Sequence, residues 1–175
     1  MTSVTGALAL SGAPAWTADS TSLASAAIVN GTPQLFRISL DGATVPLVQE
    51  YAVDPVWSPR GDVVVYSGPD IGTTFQLKAL NVGAGLRAIP TLTLTRGARR
   101  VRFLHTRPAL VVMRGDIHHK ELWLIDLQGG AERQLTHLPA DFDLRDFDIS
   151  PDGRELVIER VEERSGIVLI SGIRR

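Results

Sequence analysis

Asp146-Phe147-Asp148-Ile149-Ser150-Pro151-Asp152-Gly153 is the stretch that orders the rest of the chain. Its Pro holds φ at about −65°, and its Gly supplies the positive φ that closes the turn. The same arrangement stands at Asp54-Pro55-Val56-Trp57-Ser58-Pro59-Arg60-Gly61, with Arg in place of Asp. Looser versions are Ala13-Pro14-Ala15-Trp16-Thr17-Ala18-Asp19 and Arg100-Val101-Arg102-Phe103-Leu104-His105-Thr106. The large apolar residue before the turn recurs at Trp16, Trp57, Phe103 and Ile149, in steps of 41, 46 and 46 residues.

Each anchor is followed by a short apolar run: Leu23–Val29, Val63–Tyr66, Leu110–Met113 and Leu156–Ile158. A third run comes next, at Leu35–Leu40, Phe75–Leu80, Leu122–Leu127 and Ile167–Ile170. A fourth closes most units, at Thr44–Val48, Leu86–Leu94 and Glu132–Leu138. These runs are too short for helices and are bounded by turn residues, so they read as strands. Phe75-Gln76-Leu77-Lys78-Ala79 alternates like a half-buried strand. Leu122-Trp123-Leu124-Ile125 is apolar on both faces, as a strand between two layers would be. Four strands in about 40–46 residues is the arithmetic of a β-propeller blade, a small twisted sheet that must stack on neighbours to bury its faces.

The expected fold is therefore all-β: a propeller or partial propeller of four four-stranded blades in one domain, 1–175. The blade repeats fall at roughly 13–49, 54–94, 99–138 and 146–171, with a lone strand at 4–10. That strand, Val4–Leu10, is expected to act as the missing fourth strand of the last blade. The outcomes left open are a closed four-bladed ring, a ring shared by two chains, and a section of a longer propeller. Residues 87–107 carry six arginines and no acid, whereas 141–164 carry nine acids against four arginines. Contact between such blades favours a homo-oligomer.

The Ser-Pro-Asp-Gly turn, the apolar strand after it and a later strand ending at a Gly turn resemble the WD40-like Pro-Asp propeller repeat. That repeat occurs in the Tol-system propeller protein and in the propeller domains of prolyl oligopeptidase-like enzymes. It also forms C-terminal arrays on bacterial serine/threonine kinases and transcriptional regulators. The resemblance spans roughly residues 13–171 and implies a signalling or regulatory context. It also implies no catalytic residues in the propeller itself, because the peptidase relatives keep theirs in a separate hydrolase domain.

Composition removes several classes of function. With 44% hydrophobic and 21% charged residues the chain is a folded one. With 18 Lys+Arg against 19 Asp+Glu its net charge is −1, which is no field for gathering nucleic acid. Zero cysteines exclude disulfides, thiolate metal sites and cysteine nucleophiles, and fit a reducing cytoplasm, or a periplasm if an export signal was removed. No apolar run approaches the ~18–20 residues of a membrane helix. No Gly-x-Ser-x-Gly elbow, phosphate loop or His-Glu-x-x-His is present.

Local candidates for chemistry remain. Asp116-Ile117-His118-His119-Lys120-Glu121 has zinc-ligand types, but adjacent strand residues face opposite ways, so a polar hairpin is expected. His105 and His137 are the other histidines. Asp141-Phe142-Asp143-Leu144-Arg145-Asp146-Phe147-Asp148 alternates acids with apolar residues, which suits calcium only if they converge. The favoured expectation is a loop leading into the first strand, its acids capping turns and pairing with Arg145 and Arg154. Arg96–Arg107 is read as a solvated outer edge, and Trp16, Trp57 and Trp123 as blade core.

The expected function is a non-catalytic recognition or sensor module holding a protein or peptide partner, with no cofactor, nucleic acid or membrane. A propeller's axial mouth is lined by the segments at its first strands. That points to Asp54, Arg102 and Asp146. The alternative is an enzyme of lactonase or glycosidase type, with a metal or small ligand at the axis.

Overall fold

The computed structural model describes residues 8–82, 85–95, 101–116, 118–139, 141 and 143–162, with the side chains of 85–91, 93 and 95 left aside. Fourteen strands are described, and they form four antiparallel sheets in chain order. The first sheet is β1 (Leu10–Trp16), β2 (Ser22–Val29), β3 (Thr32–Ser39) and β4 (Thr44–Val48). The second is β5 (Val53–Trp57), β6 (Val63–Ile71), β7 (Thr74–Asn81) and β8 (Gly85–Thr95). The third is β9 (Val101–Phe103), β10 (Ala109–Asp116), β11 (His119–Asp126) and β12 (Glu132–Gln134). Of the fourth, β13 (Asp143–Ile149) and β14 (Leu156–Val161) are described. Among the described residues, no helix is long and apolar enough to cross a membrane.

Alternation along the strands sends successive side chains into different layers. Val64 and Tyr66 of β6 join Ala24, Leu35 and Trp57 between the first and second sheets. Val63 and Val65 of the same strand join Leu110, Val112 and Ile125 between the second and third. Val111 and Met113 then join Leu122, Leu144 and Phe147 between the third and fourth. A run such as Val63-Val64-Val65-Tyr66 is therefore apolar throughout because both of its faces are covered.

The recurring turn has a hydrogen-bond reason. In the second sheet Ser58 N–H donates to the Val63 carbonyl, Val63 N–H donates back to Ser58 Oγ, and Ser58 Oγ–H donates to Asp62. Ser150 makes the same two-way tie with Glu155 and donates to Asp152. Thr17 does so with Ser22 and donates to Asp19. Gly61 and Gly153 take the expected positive φ, at 73° and 71°. In the third sheet Leu104 keeps only the backbone bond to the Ala109 carbonyl. The replacement of Asp by Arg60 is thus compensated: Asp62 accepts the hydroxyl that Asp19 and Asp152 accept elsewhere.

Three expectations change. Trp16 is not core: it is 55% exposed on the first sheet's outward face, where no second sheet packs among the described residues. Trp57 is buried, and Trp123 is packed against the core between the second and third sheets. The acid-rich stretch is not a loop, because Asp143–Ile149 is strand β13. Its acids do not pair with Arg145 and Arg154, which instead face Glu159 and Asp152. A register shift between Leu144 and Asp146 breaks the alternation, so the carboxylates part ways. The pairing proposed for Val4–Leu10 and the strand at Ile167–Ile170 fall on 1–7 and 163–175, outside the described residues. Residues 8–10 lie with the first sheet: Leu8 packs near Phe36, and Ile28 N–H donates to the Ala9 carbonyl.

Ser58→Ala removes both the acceptor for Val63 N–H and the donor to Asp62 from a site that is 7% exposed. The expected loss is about 1–2 kcal/mol in urea unfolding. Ser150→Ala, at an exposed copy of the turn, should cost clearly less.

Candidate functional site

The innermost strands β1, β5 and β9 come together at a recess of about 550 Å³. Both β1 and β5 leave regular pairing there: register shifts lie between Ser11 and Ala15 and between Val53 and Val56. Bulges of this kind bend a strand and re-aim its side chains. At the bulge of β5, Asp54 takes φ 50°, a left-handed conformation uncommon for a non-glycine residue. Its carboxylate turns toward β1 and its Oδ1 accepts the Ala13 N–H at 3.3 Å. Gly12 is required beside it. A Cβ there would lie 3.0 Å from Asp54 Oδ1, and Gly12 itself has φ 71°.

Arg102 on β9 forms the far wall. Its Nε donates to Asp148 Oδ1 at 3.1 Å and its Nη2 lies 3.9 Å from Asp146 Oδ1. Its Nη1 donates to the Val101 carbonyl, and the guanidinium sits over the Phe147 ring at 5.8 Å. Arg102 therefore ties the third blade to the fourth at the axis. It is not part of a solvated outer edge, and among its companions Arg96, Arg99 and Arg100 lie outside the described residues. Of the three residues expected at the mouth, Asp54 and Arg102 share the recess. Asp146 stands behind Arg102 as its ion-pair partner, and its Oδ1 also accepts the Phe147 N–H.

The sequence reading missed Gly12, Tyr51, Asp70 and Phe75, which also line the recess. Asp70 and Phe75 sit at the β6–β7 end and are brought in by the hairpin. A Gly two residues before Pro14 was the available signal for the β1 bulge. Among the described residues, the charged groups that line the recess are Asp54, Asp70 and Arg102, with Asp146 and Asp148 behind Arg102.

The histidine hairpin does not converge. His118 lies in the β10–β11 turn with Nδ1 3.6 Å from Asp143, while His119 Nε2 lies 3.5 Å from Glu121. Glu121 already accepts the Thr136 hydroxyl and the Leu138 N–H. Among the described residues no group of three or more His, Asp or Glu is placed to hold a metal ion.

Carboxylates elsewhere serve structure. The Thr17 hydroxyl, then the Thr21 N–H, hold the Asp19 carboxyl down at about 2. The Lys78 ammonium holds Glu50 below its usual range, and burial, followed by Glu50, pushes Tyr66 up. Glu132 is lowered by a two-pronged bond from Arg114, which also stacks on Trp123.

An inner-strand mouth beneath consecutively stacked antiparallel sheets defines the class: a β-propeller architecture. No family model matches the chain, and no curated protein matches it in sequence. Solved structures match it in fold. TolB from Acinetobacter baumannii aligns with a TM-score of 0.66 at 16% identity, over 86% of this chain and 37% of that one. A TolB-designated protein of Agrobacterium tumefaciens gives 0.68 at 16% identity, over 90% and 57%. The β-propeller domain of Cps50 (Swd1) from Myceliophteria thermophila gives 0.57 at 13% identity, over 87% and 49%. The chain thus spans between 37% and 57% of the length of these chains. It is all-β and has the fold of part of a propeller.

Arg102→Ala should leave Asp146 and Asp148 without their cation and lower stability by about 1–2 kcal/mol in dilute buffer. Raising the salt to about 0.5 M should shrink the difference from the unaltered chain, since such pairs are screened. Urea unfolding at both salt concentrations measures this.

Proposed function

We propose that the chain is a non-catalytic recognition module of WD40-like Pro-Asp repeat type, which holds a segment of a partner protein at its axial mouth. The observation that carries this reading is the recess itself, where Asp54 and Arg102 stand among apolar side chains on three neighbouring blades. Its volume of about 550 Å³ is that of a site for a few side chains. Because Arg102 is engaged by two carboxylates, the group on which this reading rests is the Asp54 carboxylate, one of the polar groups that line the recess. A segment with a Lys or Arg beside an apolar residue fits that chemistry. The Ser58 and Ser150 turns support the repeat type, and from the repeat type comes a signalling or regulatory setting.

The same reading makes the chain a section of a larger ring, either with its own copies or within a longer polypeptide. Trp16 and Leu10, 55% and 43% exposed on the outward face of the first sheet, support this. A propeller blade buries both faces only when a neighbour stands on each side.

A displayed random-peptide library selected on the full chain, followed by calorimetry of the enriched peptides, tests the function. We expect sequences with a basic residue next to an apolar one, binding at one peptide per chain. Asp54→Asn should weaken them about tenfold. Peptides indifferent to Asp54→Asn, or no enrichment at all, would overturn the reading. Light scattering of the same samples should give a mass above that of one chain.

A further inference from the structure

The departures from the repeated turn gather in one place. At the position two residues after the anchor's neighbour, the first and fourth turns carry Asp19 and Asp152. The second carries Arg60, and the third replaces Ser-Pro-Asp-Gly with Leu104-His105-Thr106-Arg107. These two altered turns are neighbours, and between them lies a cleft of about 260 Å³. Arg60, His105 and Arg107 stand on its walls. It belongs to the turns that follow the first strands and is distinct from the recess, with which it has no lining residue in common.

Among the described residues, the two arginines of this cleft differ from most of the others in making no ion pair. Arg37, Arg102, Arg114, Arg145, Arg154 and Arg160 each face a carboxylate. Arg60 and Arg107 have no such ion pair among the described residues. The acid on the wall, Asp62, receives the Ser58 hydroxyl at 2.7 Å. Asp126, the carboxylate that feels the charge of Arg107, accepts the N–H groups of Gln128 and Gly129 at its Oδ1. The same cleft has an apolar part to its lining, with Val63, Phe103 and Leu104 buried and Leu127 half-buried. Leu104, where the other turns have a hydroxyl, adds to that part.

Two arginines and buried apolar side chains lining one cleft suit a ligand with one anionic end and one apolar end. Guanidinium recognises a planar carboxylate by paired N–H donors, and the apolar body gains by leaving water. We propose that the cleft between the second and third turns binds a small carboxylic acid carrying an apolar body. Arg60 and Arg107 take the carboxylate, and Phe103 and Leu104 carry the body. A free organic acid and the C-terminus of a peptide share this chemistry. The inference is independent of the axial mouth and of its partner.

The test is amide chemical-shift titration of the isotope-labelled full chain with phenylacetate, acetate, inorganic phosphate, N-acetylphenylalanine and the amide of the last. Phenylacetate or N-acetylphenylalanine should shift the amides of residues 58–63 and 104–109, with a Kd of about 1 mM or below. Tighter binding of N-acetylphenylalanine would mark a peptide C-terminus as the source, and tighter binding of phenylacetate a free acid. The amide, acetate and phosphate should each bind about tenfold more weakly. Arg60→Gln and Arg107→Gln should each cost about tenfold as well. An amide that binds as tightly as its acid would overturn the proposal, as would acetate or phosphate matching phenylacetate, or no shift up to about 10 mM. The comparison of acid with amide on the unaltered chain decides the matter even if a variant fails to fold.

Discussion

A twisted sheet with apolar residues on both faces cannot stand in water alone, and everything else in this protein follows from how that is solved. Each sheet is covered by the next. Val63 and Val65 of β6 face one neighbour, and Val64 and Tyr66 face the other, so one short strand contributes to two cores. Leu110 and Val112 against Val111 and Met113 repeat the device in β10. The buried faces supply the cohesion, and the turns and inner edges are left to vary.

The inner edges vary by bulging. The bulges at Gly12 and Asp54 open the recess and turn a carboxylate into it. Arg102 then does two things with one side chain. It closes the recess and, through Asp146, Asp148 and the Phe147 ring, fastens the third blade to the fourth. A left-handed φ at Asp54 is a local cost of the kind that persists where the surroundings hold it in place.

The turns vary by exchange of partners. A hydroxyl that ties the turn both ways needs a carboxylate acceptor, but the acceptor has two possible places in sequence. Asp19 and Asp152 use the first and Asp62 the second. Once Asp62 has that role, position 60 is released from the turn and can hold a cation. In the third turn the tie is gone, and Leu104 fills the space with carbon. Departures from a repeat are thus as informative as the repeat, provided that their neighbours in space are known.

The order of the described strands and the propeller fold were legible in the sequence, whereas strand lengths were not: β6 runs on to Ile71 beyond the apolar run Val63–Tyr66, and β12 stops at Gln134. Hydrophobic spacing and turn chemistry are local, and they recur at Trp16, Trp57, Phe103 and Ile149. Asp54 and Arg102, picked out because they lie on first-strand segments, line one recess. Other matters were settled only by tertiary structure. The sequence gives Trp16 and Trp57 the same place in their units, yet one is exposed and the other is buried, because burial depends on which sheet stands opposite. The alternating acids look like a single set, yet a bulge divides them between His118 and Arg102. Arg60 and Arg107 lie 47 residues apart, and only the stacking of one blade on the next brings them to a common cleft.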